Sequence, residues 1–256
     1  MKFFLLLLLS LLTVDCETEE FKYRFNWLNF QVSHFSLNID PDYLDNEKKP
    51  NNFFEYSIRT MGPLKVYRDY SSSGKISFNN NLSWEYFVSG TDRGLPEEKH
   101  ITFSYSEPPI INKFLDDKGQ EPIIVESIEG DVLIDPFSIL LLTIKKIKSS
   151  GDCSNTLTVY DGKRIYSIEI SRVRDEFIGG TSEKTYKGKS IMCQFKIKNH
   201  IDNKNTGNIN KRNWKVWPFK DNQKLINIWF GESINFAPVK FEITSPIGKI
   251  KGSLIL

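Results

Sequence analysis

Hydrophobic and polar residues alternate along most of the chain. In FKYRFNW, residues 21–27, Phe21, Tyr23, Phe25 and Trp27 fall on one side, and Lys22, Arg24 and Asn26 on the other. Period two is the pattern of a half-buried β-strand. The phase then slips: Leu28, Phe30 and Val32 are even-numbered, whereas Phe35, Leu37 and Ile39 are odd. A one-residue slip exchanges the buried and exposed faces, so a turn or bulge is predicted between residues 28 and 34. Alternation resumes in FEYSIRT, LKVYRDYSSSGKISF, SWEYFVSG, KHITFSYS and PIIVES, with Gly62-Pro63, Ser73-Gly74 and Pro108-Pro109 as breakers. TLTVYDGKRIYSIEISRV sets two such runs around Asp161-Gly162, which predicts a hairpin with a type I′ turn. KTYKGKSIMCQFKIK adds a strand, and the C-terminal stretch reads as three strands with turns at Gly231-Glu232 and from Pro246 to Gly248.

One segment has a different period. IDPFSILLLTIKKIKSSG carries apolar residues at 137, 140, 141, 144 and 147, the spacing of a helix face. Asp135 is placed to cap it, Pro136 suits a first helical turn, and Lys145, Lys146 and Lys148 complement the dipole at its far end. Gly151 follows as a stop. The expectation is one helix over about 136–148 whose apolar face is buried against the strands. NIDPDYLDNEKKPNN and the Asn-rich NHIDNKNTGNINKRN are polar loops. No linker or internal repeat divides residues 17–256. The predicted fold is a single, mainly β domain: a strongly curved antiparallel sheet, barrel or half-barrel, with that helix packed on or in it.

Residues 1–16 change where this domain is expected to work. MKFFLLLLLSLLTVDC has a positive start at Lys2 and a short apolar run, which reads as a secretory signal rather than a membrane span of about 20 residues. Cleavage near Cys16 would release the rest to the periplasm; lipidation of Cys16 is the alternative, and Asp15 before it fits that signal poorly. No later stretch is long and apolar enough to span a bilayer. The formal charge of +2 is too balanced to imply a nucleic-acid partner.

Cysteine usage agrees with export. With Cys16 removed or lipidated, Cys153 and Cys193 remain on neighbouring strand segments, and in an oxidising compartment they are expected to form a disulfide. The other reading is a pair of buried free thiols. A nucleophilic role for Cys153 needs a nearby His, and His34, His100 and His200 are all distant in sequence. No clustered Cys or His spacing suggests a metal, and no cofactor is implied. KGKS at 187–190 lacks the first P-loop glycine, since Glu183 stands there, and no G-x-S-x-G elbow exists. Asp116-Asp117 and Glu97-Glu98 read as solvated loop charge.

The ordered landmarks DPFSILL, Cys153, YDGKRIY, TYKGKSIMC, IWF, PVKFEI and PIGKIKGSL, after an opening aromatic strand pair, run through residues 21–256. Their order and spacing resemble the exported bacterial family known as domain of unknown function 3108. The resemblance implies a curved antiparallel sheet wrapped around helical elements. It brings no catalytic residues. The Asn-rich segment 199–213 departs from the family pattern.

The expected function is a non-enzymatic envelope protein. Its ligand would be apolar, such as a lipid, held between the concave sheet and the helix by Phe25, Trp27, Phe137, Leu141 and Ile144. The competing reading makes those residues plain core. A second function is docking on another envelope protein or the membrane. KRNWKVWPFKDNQK, with Trp214, Trp217, Lys211, Arg212 and Lys215, has the composition of an envelope-facing surface. A hydrolase with a scattered acid or His site is the remote third.

Overall fold

The computed structural model describes residues 19–39, 53–80, 83–116, 119, 121–125, 132–179, 184–199, 224–245 and 248–256. Residues 1–16, Cys16 included, and the Trp- and Lys-rich stretch with Lys211, Arg212, Trp214, Lys215 and Trp217 lie outside them.

Among the described residues, fourteen strands form one sheet. In chain order they are β1 (Glu19–Trp27), β2 (Phe30–Ile39), β3 (Phe53–Thr60), β4 (Tyr70–Asn80), β5 (Ser83–Asp92), β6 (Leu95–Ser104) and β7 (Ile110–Leu115). Then come β8 (Leu133–Ile134), β9 (Asn155–Tyr160), β10 (Ile165–Ile178), β11 (Gly188–Asn199), β12 (Lys224–Gly231), β13 (Pro238–Ser245) and β14 (Gly248–Ile255). The spatial order runs β7 to β1, then β14 down to β8. The first and last strands are therefore neighbours, with Tyr23 opposite Leu254. Every pairing is antiparallel except β8 with β9. β7 and β8 are the free edges, so the sheet curls without closing its ladder.

The alternation in β1 means what it predicts. Phe21, Tyr23 and Phe25 are buried and Lys22 and Arg24 exposed. Tyr23, Phe25, Phe35 and Phe241 gather from three strands, with ring centroids 5.3–6.5 Å apart, in the tilted and edge-on arrangements aromatic rings prefer. The phase slip is a register shift after Phe25 followed by a tight turn at Leu28.

Several local expectations need correction. The helical segment, α2, spans Ser138–Ser150 rather than 136–148. Asp135 does cap, but its Oδ1 accepts the N–H groups of Phe137 and Ser138 and fixes a turn ahead of the helix. Gly151 ends α2 at φ +69, as the stop signal required. LKVYRDY does not begin as a strand: Gly62–Tyr67 form a short helix, α1, with Pro63 in its first turn. Six residues are too few for a period of 3.6 to separate from a period of 2. Gly74 does not break a strand. It lies inside β4 opposite Tyr56, and a Cβ there would stand 2.2 Å from the Tyr56 ring. Glycine lets that ring lie across the sheet. Pro122–Val125, the described part of PIIVES, is likewise not a strand.

The Asp161-Gly162 hairpin joins β9 to β10 through four residues rather than two. Asp161 Oδ1 accepts the N–H groups of Lys163 and Arg164, at 2.9 and 2.8 Å, and its own N–H meets Arg164 O. An aspartate side chain that closes its own turn favours this wider geometry over the two-residue type I′ form.

Candidate functional site

Three places concentrate side-chain chemistry: the concave interior, the seam between the two sheet edges, and one end of the strands.

The interior is occupied. Phe137, just ahead of α2, stacks on Tyr56 with centroids 3.5 Å apart and lies 6.5 Å from both Phe54 and Tyr86. Leu141 and Ile144 on α2 are buried in the same core as the strand residues. Phe25 belongs to the aromatic group around Phe241. Trp27, at the end of β1, is only half-buried. The five residues assigned from sequence to an apolar site thus all touch the core, with Phe25 in one aromatic group and Phe137 in another.

Side chains, not a ladder, bridge the seam. Trp84 on β5 donates from Nε1 to Asp135 Oδ2 at 2.9 Å, and Ser138 Oγ donates to the same oxygen. With the two backbone N–H groups on Oδ1, four donors converge on one wholly buried carboxylate. Burial raises the Asp135 pKa against the pull of those donors. Nearer the end of the strands, the β9–β10 turn reaches across to β6. Lys163 lies 3.4 Å from Glu97 and also contacts Asp116, while Lys99 pairs with Glu97 at 2.9 Å. Ile123, between β7 and β8, adds to the bridge: its N–H donates to Gly162 O at 2.9 Å, and Tyr160 Oη donates to Ile123 O.

These charges shift one another. Burial, and then the neighbouring Lys99, push the Lys163 ammonium down to about 8, against Glu97. Burial works to raise Asp161, but Arg164 and Lys99 outweigh it and hold the carboxyl low. The Glu97 and Asp116 carboxylates, read from sequence as solvated loop charge, are thus drawn into the seam. Asp116 is 5% exposed.

A lysine whose folded pKa is depressed contributes stability above its unfolded value, and that contribution is lost as pH falls through the folded value. Wild type should therefore gain stability relative to Lys163→Met as pH rises from about 8 toward the ordinary value of 10.5. Urea melts of both proteins at pH 7.5, 9 and 10 measure this. A stability difference that does not change with pH would place the titration elsewhere.

The disulfide is present. Cys153 and Cys193 are joined, both wholly buried, with Cα atoms 6.4 Å apart. Cys153 lies two residues ahead of β9 and Cys193 faces Arg172 of β10. The bond therefore ties the chain leaving α2 to β11, across β10.

On the convex face, Ser36, Ser57, Ser73 and Ser89 share one rung of β2 to β5 beneath a depression of about 530 Å³. They pair among themselves, Ser36 with Ser57 at 2.8 Å and Ser73 with Ser89 at 3.4 Å. Among the described residues no group of three or more His, Cys, Asp or Glu is arranged to hold a metal, and no helix is long and apolar enough to cross a membrane.

The strand registers place the β1–β2 turn, α1, the Asp92–Leu95 turn and the start of β14 at one end. Asn199 and Lys224, which flank residues 200–223, are at the same end. Here Leu28 is 73%, Phe30 56% and Val66 92% exposed. Sequence reading missed this. The only signal was the phase slip itself, which left Leu28 and Phe30 off the buried face of β1.

No curated protein matches the chain. A crystal structure described as a β-barrel-like protein of domain of unknown function DUF1849, from Brucella abortus, is similar in fold. Its TM-score is 0.58 at 9% identity, over 95% of this chain and 99% of that one. The family model described as protein of unknown function (DUF3108) matches residues 20–255, nearly the whole sequence, and the chain belongs to that family.

Proposed function

We propose that the protein is an exported, non-enzymatic module of the cell envelope that works by docking. One contrast carries this reading. The concave side is filled by the protein's own aromatic residues and α2, while large apolar side chains stand exposed at one end of the strands. Exposed apolar groups clustered in this way mark interaction sites. The signal-like residues 1–16 and the buried Cys153–Cys193 bond support export, since such bonds persist in oxidising compartments. The saturation of Asp135 with four donors supports a structural role for the most buried carboxylate, not an acid–base one.

A second reading has an observation of its own. Among the described residues the seam between β7 and β8 is closed by side chains and Ile123 rather than by a ladder, so parting it would let an acyl chain lie between the sheet and α2 against Phe25, Trp27, Phe137, Leu141 and Ile144. Fractionation of expressing cells followed by native mass spectrometry separates the two. The expected result is periplasmic or envelope-bound protein, with Cys153 and Cys193 closed to alkylation and no one-to-one lipid adduct. A stoichiometric lipid would establish the interior site instead. Cytosolic protein with alkylated cysteines would remove the export reading altogether.

A further inference from the structure

Leu28 sits at φ +54 at the crown of the β1–β2 hairpin. Glycine adopts that backbone freely and leucine does so only under strain. Folding alone therefore favours glycine here, yet the position carries a leucine that reaches solvent. Strain held at an exposed apolar tip points toward a role outside the fold. Phe30 follows at the start of β2. α1 brings Val66 to the same place, since Met61 N–H donates to Val32 O at 2.8 Å and Gly62 packs on the Gln31 carbonyl. All three stand exposed at this end, with Asn29 between Leu28 and Phe30.

The charge around this end has an excess of cations. On the convex face Lys251 lies opposite Asn26, and Arg24, His34 and Arg59 share a rung. Arg24, Arg59 and Lys251 are exposed and form no ion pair among the described residues, with Glu242 opposite Lys251 but paired to Lys249. The nearby Lys65 and Lys249 are offset by Asp69 and Glu242. An apolar end beside an excess of cations on one face is complementary to a surface that is apolar below and anionic above.

We propose that this end docks on an anionic phospholipid surface, with Leu28, Phe30 and Val66 entering the boundary between headgroups and acyl chains, and Arg24, Arg59 and Lys251 meeting phosphates. The inference rests on the docking reading and gives it a partner.

The test is co-sedimentation of the protein, as recovered from cells, with phosphatidylcholine vesicles with or without 30% phosphatidylglycerol. Wild type should prefer the anionic vesicles and lose that preference in high salt. Leu28→Gly and Phe30→Ser should each lower partitioning about tenfold. Leu28→Gly should melt no lower than wild type, because the strain is relieved. Arg24→Gln/Arg59→Gln/Lys251→Gln should abolish the preference for anionic lipid. Absence of binding, or binding that Leu28→Gly and Phe30→Ser leave unchanged, overturns the proposal; a lipidated Cys16 or an uncleaved leader would give the latter. A dimer in sedimentation velocity that Leu28→Gly dissolves overturns it in favour of self-association. Fractionation decides export independently, so vesicle binding can fail while the export reading stands, or the reverse.

Discussion

Reducing the Cys153–Cys193 bond, or replacing both cysteines with alanine, should lower the stability of the fold by about 4 kcal/mol. The bond closes a loop with a sequence separation of 40. The chain-entropy model assigns about that much to the restriction it places on the unfolded chain. In a domain of this size about 4 kcal/mol corresponds to a fall in Tm of about 8 °C. The geometry places the bond at a thinly paired edge of the sheet. α2 ends at Gly151, and only Asp152 separates that stop from Cys153. β9 does not begin until Asn155, and it is six residues long. On its far side β9 pairs only with the two residues of β8. Without the bond, that edge of the sheet is held by the β9–β10 ladder and the side-chain bridges of the seam, and β10 itself has a register shift between Arg172 and Arg174 where the bond crosses it. Thermal melts with and without reductant, compared with Cys153→Ala/Cys193→Ala, measure the effect. The reduced wild type and the double variant should coincide. A melting temperature unmoved after alkylation has shown both thiols free would mean that packing, not the cross-link, holds the edge.

That bond was legible because its two ends needed only compartment, count and strand neighbourhood. The β1 face was legible for a related reason: alternation over seven residues fixes which side chains point inward, and Phe21, Tyr23 and Phe25 are indeed inside. Periodicity does not say what an inward face meets. Nothing in the pattern distinguished a ligand beside Phe137 from the Tyr56 ring that stacks on it. Nor did it pair β1 with β14, which brings Tyr23 to Leu254 from opposite ends of the chain. The seam was the least legible part. Lys163 and Glu97 are 66 positions apart, and each alone looks like an ordinary surface charge. Trp27 shows the limit within a single strand: it keeps the phase of Phe25 but comes after the register shift and at the strand's end, so it is only half-buried.

Asp135→Ala should cost about 4 kcal/mol, comparable to losing the disulfide. The carboxylate is wholly buried and takes Trp84 Nε1, Ser138 Oγ and the backbone N–H groups of Phe137 and Ser138. Alanine leaves these donors without an acceptor where water does not reach, and each unsatisfied buried group costs about 1–3 kcal/mol. The loss also releases the turn that feeds α2 and the bridge from β5 across the seam, so the melt should be less cooperative. Asp135→Asn is the informative companion. Its Oδ1 still accepts the two backbone N–H groups, but its Nδ2 faces Trp84 Nε1, donor against donor, and the cost should be about half that of alanine. The pH dependence follows from the direction of the shift. Burial raises the folded pKa of Asp135 above its ordinary value of 3.8. A group raised on folding contributes stability that is complete below the unfolded value and is lost as pH rises through the folded value. The advantage of wild type over Asp135→Asn should therefore be largest in acid and shrink toward neutrality. Urea melts of both proteins at pH 4.5, 5.5 and 7 measure that gap. A gap that widens with pH would show that the four donors outweigh burial and that the ionised carboxylate is the form the seam is built around.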